Sequence, residues 1–190
     1  MTRIVAGRWR GRRLAVPKGV GTRPSAERVR EALAGSLQAT GGLDGARVLD
    51  LWAGTGALGL ELASRGASSA VFVERDRMAL TALRANVGTF NEATGPALTV
   101  LAADVTAVQS LTARLAGPFD IVVADPPYDL AGGAVEVVLA ALVTGGVLAE
   151  HADLIVERSM RSGEVQWPDP MVGVRVKKYG DTLLCYGRAP

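Results

Sequence analysis

The sequence predicts an α/β fold: a mostly parallel sheet with helices on both faces, an antiparallel C-terminal hairpin and a small basic N-terminal β-hairpin extension. Three observations carry that expectation. From Arg47 onward, short apolar runs rich in β-formers alternate with segments of helical periodicity, the pattern of βαβ crossovers. The run Phe119 to Ala124 is almost continuously apolar, as suits a central strand buried on both faces. Past Pro170, the alternation of Val172, Val174 and Val176 with Arg175 and Lys177 leads through Gly180-Asp181 to a second β-rich run, Thr182 to Tyr186.

Taken in order, Arg3 to Ala6 and Arg13 to Val16 are extended pieces around the turn residues Gly7 and Gly11, which together predict the basic hairpin. From Ser25, a candidate N-cap, to Ala39 the apolar residues Ala26, Val29, Ala32, Leu33 and Leu37 recur at helical spacing, and Gly41-Gly42 stops the helix. Strands are predicted at Val48 to Trp52, Ala70 to Glu74, Leu98 to Ala102, Phe119 to Ala124 and Leu154 to Glu157. Helices are predicted between them at Leu58 to Arg65, Arg77 to Phe90, Val105 to Leu115 and Ala134 to Val143.

A chain of 190 residues predicts one domain. Its 48% hydrophobic and 21% charged content excludes disorder as a whole-chain reading. The longest mostly apolar stretch, Val135 to Val143, is too short to span a bilayer, and no apolar segment follows the N-terminal arginines, so no membrane span or secretory leader is expected. The single cysteine, Cys185, fits a reducing cytoplasm and reads as core packing. The single histidine, His151, reads as a surface residue, and no metal site is expected. Charge is unevenly spread. Met1 to Arg30 holds nine basic residues against Glu27 alone, a net of +8, whereas the remainder carries −6.

Asp50-Leu-Trp-Ala-Gly54-Thr-Gly56-Ala-Leu-Gly59 places a glycine-rich turn between the first strand and the next helix, where backbone can approach a ligand closely. Alone it matches G-x-G-x-x-G, with Glu74 placed 20 residues after Gly54 as a ribose-binding acid, so a nicotinamide cofactor competes. Asp50 beside the loop favours a cationic sulfonium or ammonium over a pyrophosphate. Asp125-Pro126-Pro127-Tyr128 follows the Phe119 strand and therefore belongs in the same crevice, at the carboxyl end of the sheet. The tetrapeptide resembles that of S-adenosylmethionine-dependent methyltransferases that modify exocyclic or amide nitrogens, and the resemblance implies its role: the two N–H groups of a weakly nucleophilic amine donate to the Asp125 carboxylate and the Pro126 carbonyl, while Tyr128 stacks on the base. In the arm, Arg3, Arg8, Arg10, Arg12 and Arg13 suit phosphates, and Trp9 suits an unpaired base.

These motifs resemble the class I S-adenosylmethionine-dependent methyltransferases. Five ordered blocks, Arg3 to Leu14, Thr22 to Leu33, the Asp50 loop, Asp125 to Tyr128 and Lys178 to Thr182, resemble the bacterial 16S rRNA (guanine(966)-N(2))-methyltransferase family over essentially the full length. The resemblance implies a Rossmann-like, mostly parallel seven-stranded sheet. It implies that Asp50, Gly54 and Gly56 contact the methionine end of S-adenosylmethionine, Glu74 the ribose and Asp104 with the Val105 backbone the adenine. The Thr22 to Ser25 segment then closes over the methionine carboxylate. Trp52, Ser25 and Ala34 depart from the family's usual Phe, Thr and Phe.

The implied organisation is a basic RNA-binding extension over residues 1–22 and a methyltransferase domain over 23–190, acting in the cytoplasm as a monomer. The implied substrate is 16S rRNA, within the assembled small ribosomal subunit. Methylation of adenine N6 or cytosine N4 in DNA or RNA shares the same tetrapeptide, and an NAD-type oxidoreductase or a non-enzymatic RNA-binding module are further alternatives. Asp104 also reads as an N-cap, and Glu157 as the structural end of a strand.

Overall fold

The computed structural model describes residues 2–17, 24–39, 41–128, 130 and 133–190. Thr22, expected at the cofactor, lies outside the described residues, as does the side chain of Ser25. The elements run α1 (Pro24–Ala39), β1 (Arg47–Leu51), α2 (Ala57–Ser64), β2 (Ser69–Glu74), α3 (Arg77–Phe90), β3 (Ala97–Ala102), α4 (Val108–Thr112), β4 (Phe119–Ala124), α5 (Ala134–Thr144), β5 (Leu148–Ser159), β6 (Val172–Tyr179) and β7 (Thr182–Arg188).

The strands form one seven-stranded sheet in the order β3-β2-β1-β4-β5-β7-β6. β1 pairs in parallel with β2 and β4, β2 with β3, and β4 with β5. β7 is antiparallel to both β5 and β6. Strand order reverses between β1 and β4, and such a switch point opens a crevice at the carboxyl ends of the strands.

Two cores sandwich the sheet. On one face Leu33 and Leu37 of α1, Leu60 of α2 and Leu83 and Phe90 of α3 pack over Val48 and Phe72. On the other, Leu111 of α4 and Val138, Leu139 and Leu142 of α5 pack over Leu49, Leu51 and Val122. The sheet residues alternate between the two cores because successive strand side chains point to opposite faces.

Several boundaries depart from the sequence expectations. α1 starts at Pro24, so Ser25 is not its N-cap; proline at a first helical position gives up an N–H that lacks a partner anyway. α4 covers only Val108–Thr112, because Asp104 closes a turn onto Thr106 before the helix begins; it is not the helix cap. β5 is twelve residues long where four were expected: β7 pairs with it from Asp153 to Ser159, and β4 pairs with it at Leu148 and, past a register shift, from Asp153. His151 falls inside β5 with a positive φ of 59° and is exposed. Cys185 is in the core as expected.

The N-terminal hairpin is reduced to one antiparallel bridge, Arg3 with Arg13, supported by Ile4 N–H donating to Arg12 and Gly11 N–H to Ile4. It is held to the body by tertiary contacts. Ile4, Trp9 and Leu14 join the first core, and the Glu61 carboxylate accepts the N–H groups of Val5 and Ala6 at 2.8 and 3.0 Å.

Candidate active site

β1 ends at Leu51, and the chain turns through Trp52, which carries a positive φ of 55°, uncommon for a bulky residue. Gly54 and Gly56 follow with φ of 56° and 79°, the left-handed region that favours glycine. Gly59, in the first turn of α2, serves a different purpose. A Cβ there would lie 2.5 Å from Phe72 and 2.8 Å from the Asp50 carboxylate, so its absence lets helix and strand close together. Asn86 of α3 ties the loop to the arm, donating to the carbonyls of Thr55 and Ala15 and accepting the Ala15 N–H. Nothing in the sequence pattern marks Asn86.

Three expected site acids converge here. Asp50 is 3% exposed and accepts the Gly59 N–H at 2.9 Å. Burial pushes its carboxyl up to about 7, against the Gly59 hydrogen bond, and the charges of Asp125 and Glu74 push the same way. Glu74, at the end of β2, accepts Gly54 N–H at 2.8 Å with one oxygen and the N–H groups of Arg75 and Asp76 with the other. Asp125 sits immediately past β4, its N–H directed to the Leu51 carbonyl at 3.4 Å.

A cleft of about 730 Å³ is lined by Trp52, Glu74, Arg75, Asp76, Arg77 and the Asp125 to Tyr128 loop. Pro126 is buried, whereas Tyr128 is 57% exposed. Asp104 lies beyond Arg75, which it holds in a 2.7 Å ion pair. Against the desolvation that alone raises it, hydrogen bonds from Thr106 and Arg75 hold the Asp104 carboxyl below its ordinary range. Val105 beside it is buried. Among the described residues, no salt bridge neutralises Asp50 or Glu74; Arg75 and Arg77 line the cleft as well, Arg75 in its ion pair with Asp104.

In the arm, Arg3, Arg8, Arg10 and Arg13 are exposed, as phosphate contact requires. One expectation needs correction. Trp9 is 1% exposed, tilted on Phe90 at 4.8 Å with its indole N–H donating to Glu92, so it is core and out of reach of a base. Arg12 pairs with Glu92, 2.7 Å away, and lies over the Phe90 ring, with 39% of its side chain exposed.

The Conserved hypothetical protein 95 family model matches residues 2–188. Ribosomal RNA small subunit methyltransferase D of Escherichia coli (strain K12) is 37% identical over 161 residues, covering 85% of this chain and 76% of that protein. The solved structure of yhhF from Escherichia coli superposes with a TM-score of 0.82 at 34% identity, over 98% of this chain and 97% of that one. At the level of fold alone, magnesium protoporphyrin IX methyltransferase from Synechocystis, solved with bound S-adenosylmethionine, gives a TM-score of 0.62 at 15% identity, over 90% and 87% of the two chains.

Sheet order and the methyltransferases to which the chain is 34–37% identical define an S-adenosylmethionine-dependent methyltransferase of class I. The cofactor supplies an electrophilic methyl group on a sulfonium, and the carboxylates of Asp50 and Glu74 suit its cationic and hydroxyl-bearing parts. Within that class, the chain belongs to the Conserved hypothetical protein 95 family, that of ribosomal RNA small subunit methyltransferase D.

Proposed function

We propose that this protein transfers a methyl group to the exocyclic N2 of one guanine, guanine 966, of 16S rRNA in the assembled small subunit, in the cytoplasm and as a monomer. The observation that carries the reading is the Asp125 to Tyr128 loop, placed by β4 on the wall of the acid-lined cleft. Asp125 and the Pro126 carbonyl accept the two N–H groups of the target amine and hold its lone pair toward the methyl group. Two consecutive prolines fix the direction of that carbonyl. Tyr128, exposed at the rim, stacks on the extruded base. Asp50, Gly54, Gly56 and Glu74 hold the methionine and ribose parts of the cofactor, with Thr22 and Ser25 over its carboxylate and Asp104 and Val105 at its adenine. Residues 1–22 form the RNA-binding extension on a methyltransferase domain of residues 23–190, with Arg3, Arg8, Arg10 and Arg13 meeting phosphates.

Incubation with labelled S-adenosylmethionine and either free 16S RNA or small subunits from cells lacking the modification tests this directly. N2-methylguanosine from subunits alone is the expected product; N6-methyladenosine or N4-methylcytidine overturns the base assignment. Asp125→Ala lowers the transfer rate by about 10²–10³ while cofactor binding persists.

A further inference from the structure

Beside the cofactor cleft, Tyr128 also walls a second cavity of about 890 Å³, whose lining includes Glu157, Ser159, Tyr179, Gly180 and Asp181. The cavity lies where the tight β6–β7 turn, within the Lys178 to Thr182 block, meets the end of β5. One acid in it has no assigned task. Glu157 forms no salt bridge among the described residues, although Arg158 follows it directly and Arg161 shares the cavity.

Register suggests the reason for its position. β4 and β5 are paired up to Ala124 with Val156, Asp125 and Glu157 are the residues that follow that pair, and they lie near enough for the Asp125 charge to act on Glu157. Neighbouring strands lie about 4.8 Å apart, the scale of the edge of a purine that carries its amine, ring N–H and carbonyl in a row. An amine bound at Asp125 therefore sets the next two atoms of that edge before Glu157.

We infer that Glu157, as a neutral carboxylic acid, selects guanine: its carbonyl oxygen accepts the N1–H while its O–H donates to O6. This rests on the proposed amine-methylating reading of Asp125. Burial, with the Asp125 charge adding to it, pushes Glu157 up to about 8, so at neutral pH the group is the acid. Guanine satisfies both its donor and its acceptor. Adenine bound by N6 offers only the N1 acceptor and a C–H. Cytosine bound by N4 sets two acceptors against one donor. Each leaves a polar group of the site unmatched, which is how hydrogen-bonding sites reject wrong substrates.

Small subunits reconstituted with guanosine or with 2-aminopurine at the target position provide the test, because 2-aminopurine keeps the N2 amine and lacks both N1–H and O6. Wild type is expected to favour guanosine by about a hundredfold in kcat/KM, the effect of two hydrogen bonds. E157A, with cofactor affinity and melting temperature monitored, brings the two substrates to within about threefold of each other by losing rate on guanosine. E157Q, whose amide presents the same acceptor and donor, rescues most of that loss. Wild-type preference falls above about pH 8 as Glu157 ionises, and that of E157Q does not; Asp125, Tyr128, Arg161, Tyr179 and Asp181, the other charged or titratable groups around the cavity, are unchanged in that comparison. A wild type indifferent to 2-aminopurine overturns the inference even if E157A fails to fold, as does an E157A that keeps full discrimination. Both leave guanine methylation standing. A wild type that methylates no guanine removes the underlying reading and this inference with it.

Discussion

Glu61 and Asp50 are buried carboxylates on elements joined by the same glycine-rich loop, and they are treated in opposite ways. Glu61, in α2, is fully buried and surrounded by donors: the N–H groups of Val5 and Ala6, the Arg65 guanidinium at 2.7 Å and Arg30 at 4.0 Å. Asp50, in β1, accepts one N–H and has two further acids for neighbours. The first arrangement closes a structural joint, sewing the N-terminal arm to the domain. The second leaves a carboxyl with one donor and two acids beside it, at the loop where we propose the cationic cofactor binds. A buried acid with its partners already in place belongs to the architecture; one that lacks them is waiting for a ligand.

The comparison breaks most severely at Glu61. Glu61→Ala leaves Arg65 without its anion, Arg30 with Glu27 alone and two arm N–H groups unpaired, which costs about 3–5 kcal/mol of stability. Equilibrium unfolding in urea measures the loss, and a value below about 1 kcal/mol removes Glu61 from its structural role. The corresponding change at Asp50 moves function instead. Its native carboxyl titrates near 7, above the ordinary carboxylate value, so S-adenosylmethionine affinity rises roughly tenfold between pH 6 and 8 as the anion forms. Calorimetry across that range checks it, and Asp50→Asn flattens the profile. The linked stability has the opposite sign. Between about pH 4 and 7 the native state holds a proton that the unfolded chain has released, so stability declines through that window and levels off above it.

The smallest effect belongs to the arm's outer face. Arg3, Arg8, Arg10 and Arg13 are exposed, whereas Arg12 pairs with Glu92 and Arg30 is buried. Replacing those four by Ala reduces the slope of log affinity for RNA against log salt by up to about 3 and leaves the fold intact. An unchanged slope removes the arm from RNA binding.

Much of the site was readable before any coordinates. Asp50, Gly54 and Asp125 sit at the carboxyl ends of strands because alternating strands and helices force parallel pairing, which gathers those ends on one edge. Trp9 was misread because its flanking arginines are local, whereas Phe90 and Glu92, which bury and bond it, lie some eighty residues away. The early part of β5, Ala149-Glu-His-Ala-Asp153, has no strand-like alternation; it is held by the pairing of Leu148 and Asp153 with β4 across a register shift and by backbone hydrogen bonds of His151 and Ala152 to Pro190 and Ala189. Glu157 read as a structural strand end because its significance depends on the register that brings it beside Asp125.

The succession of elements, the edge on which the chemistry lies and the loops whose glycines and prolines shape it are all legible in the amino-acid order. These follow from backbone sterics and side-chain periodicity, which act over a few residues. Which charges are taken up by the fold and which stay open to ligands is settled by packing. That division depends on burial and pairing between residues far apart in the chain, and the same side chain ends as anchor or as active group according to what packs against it.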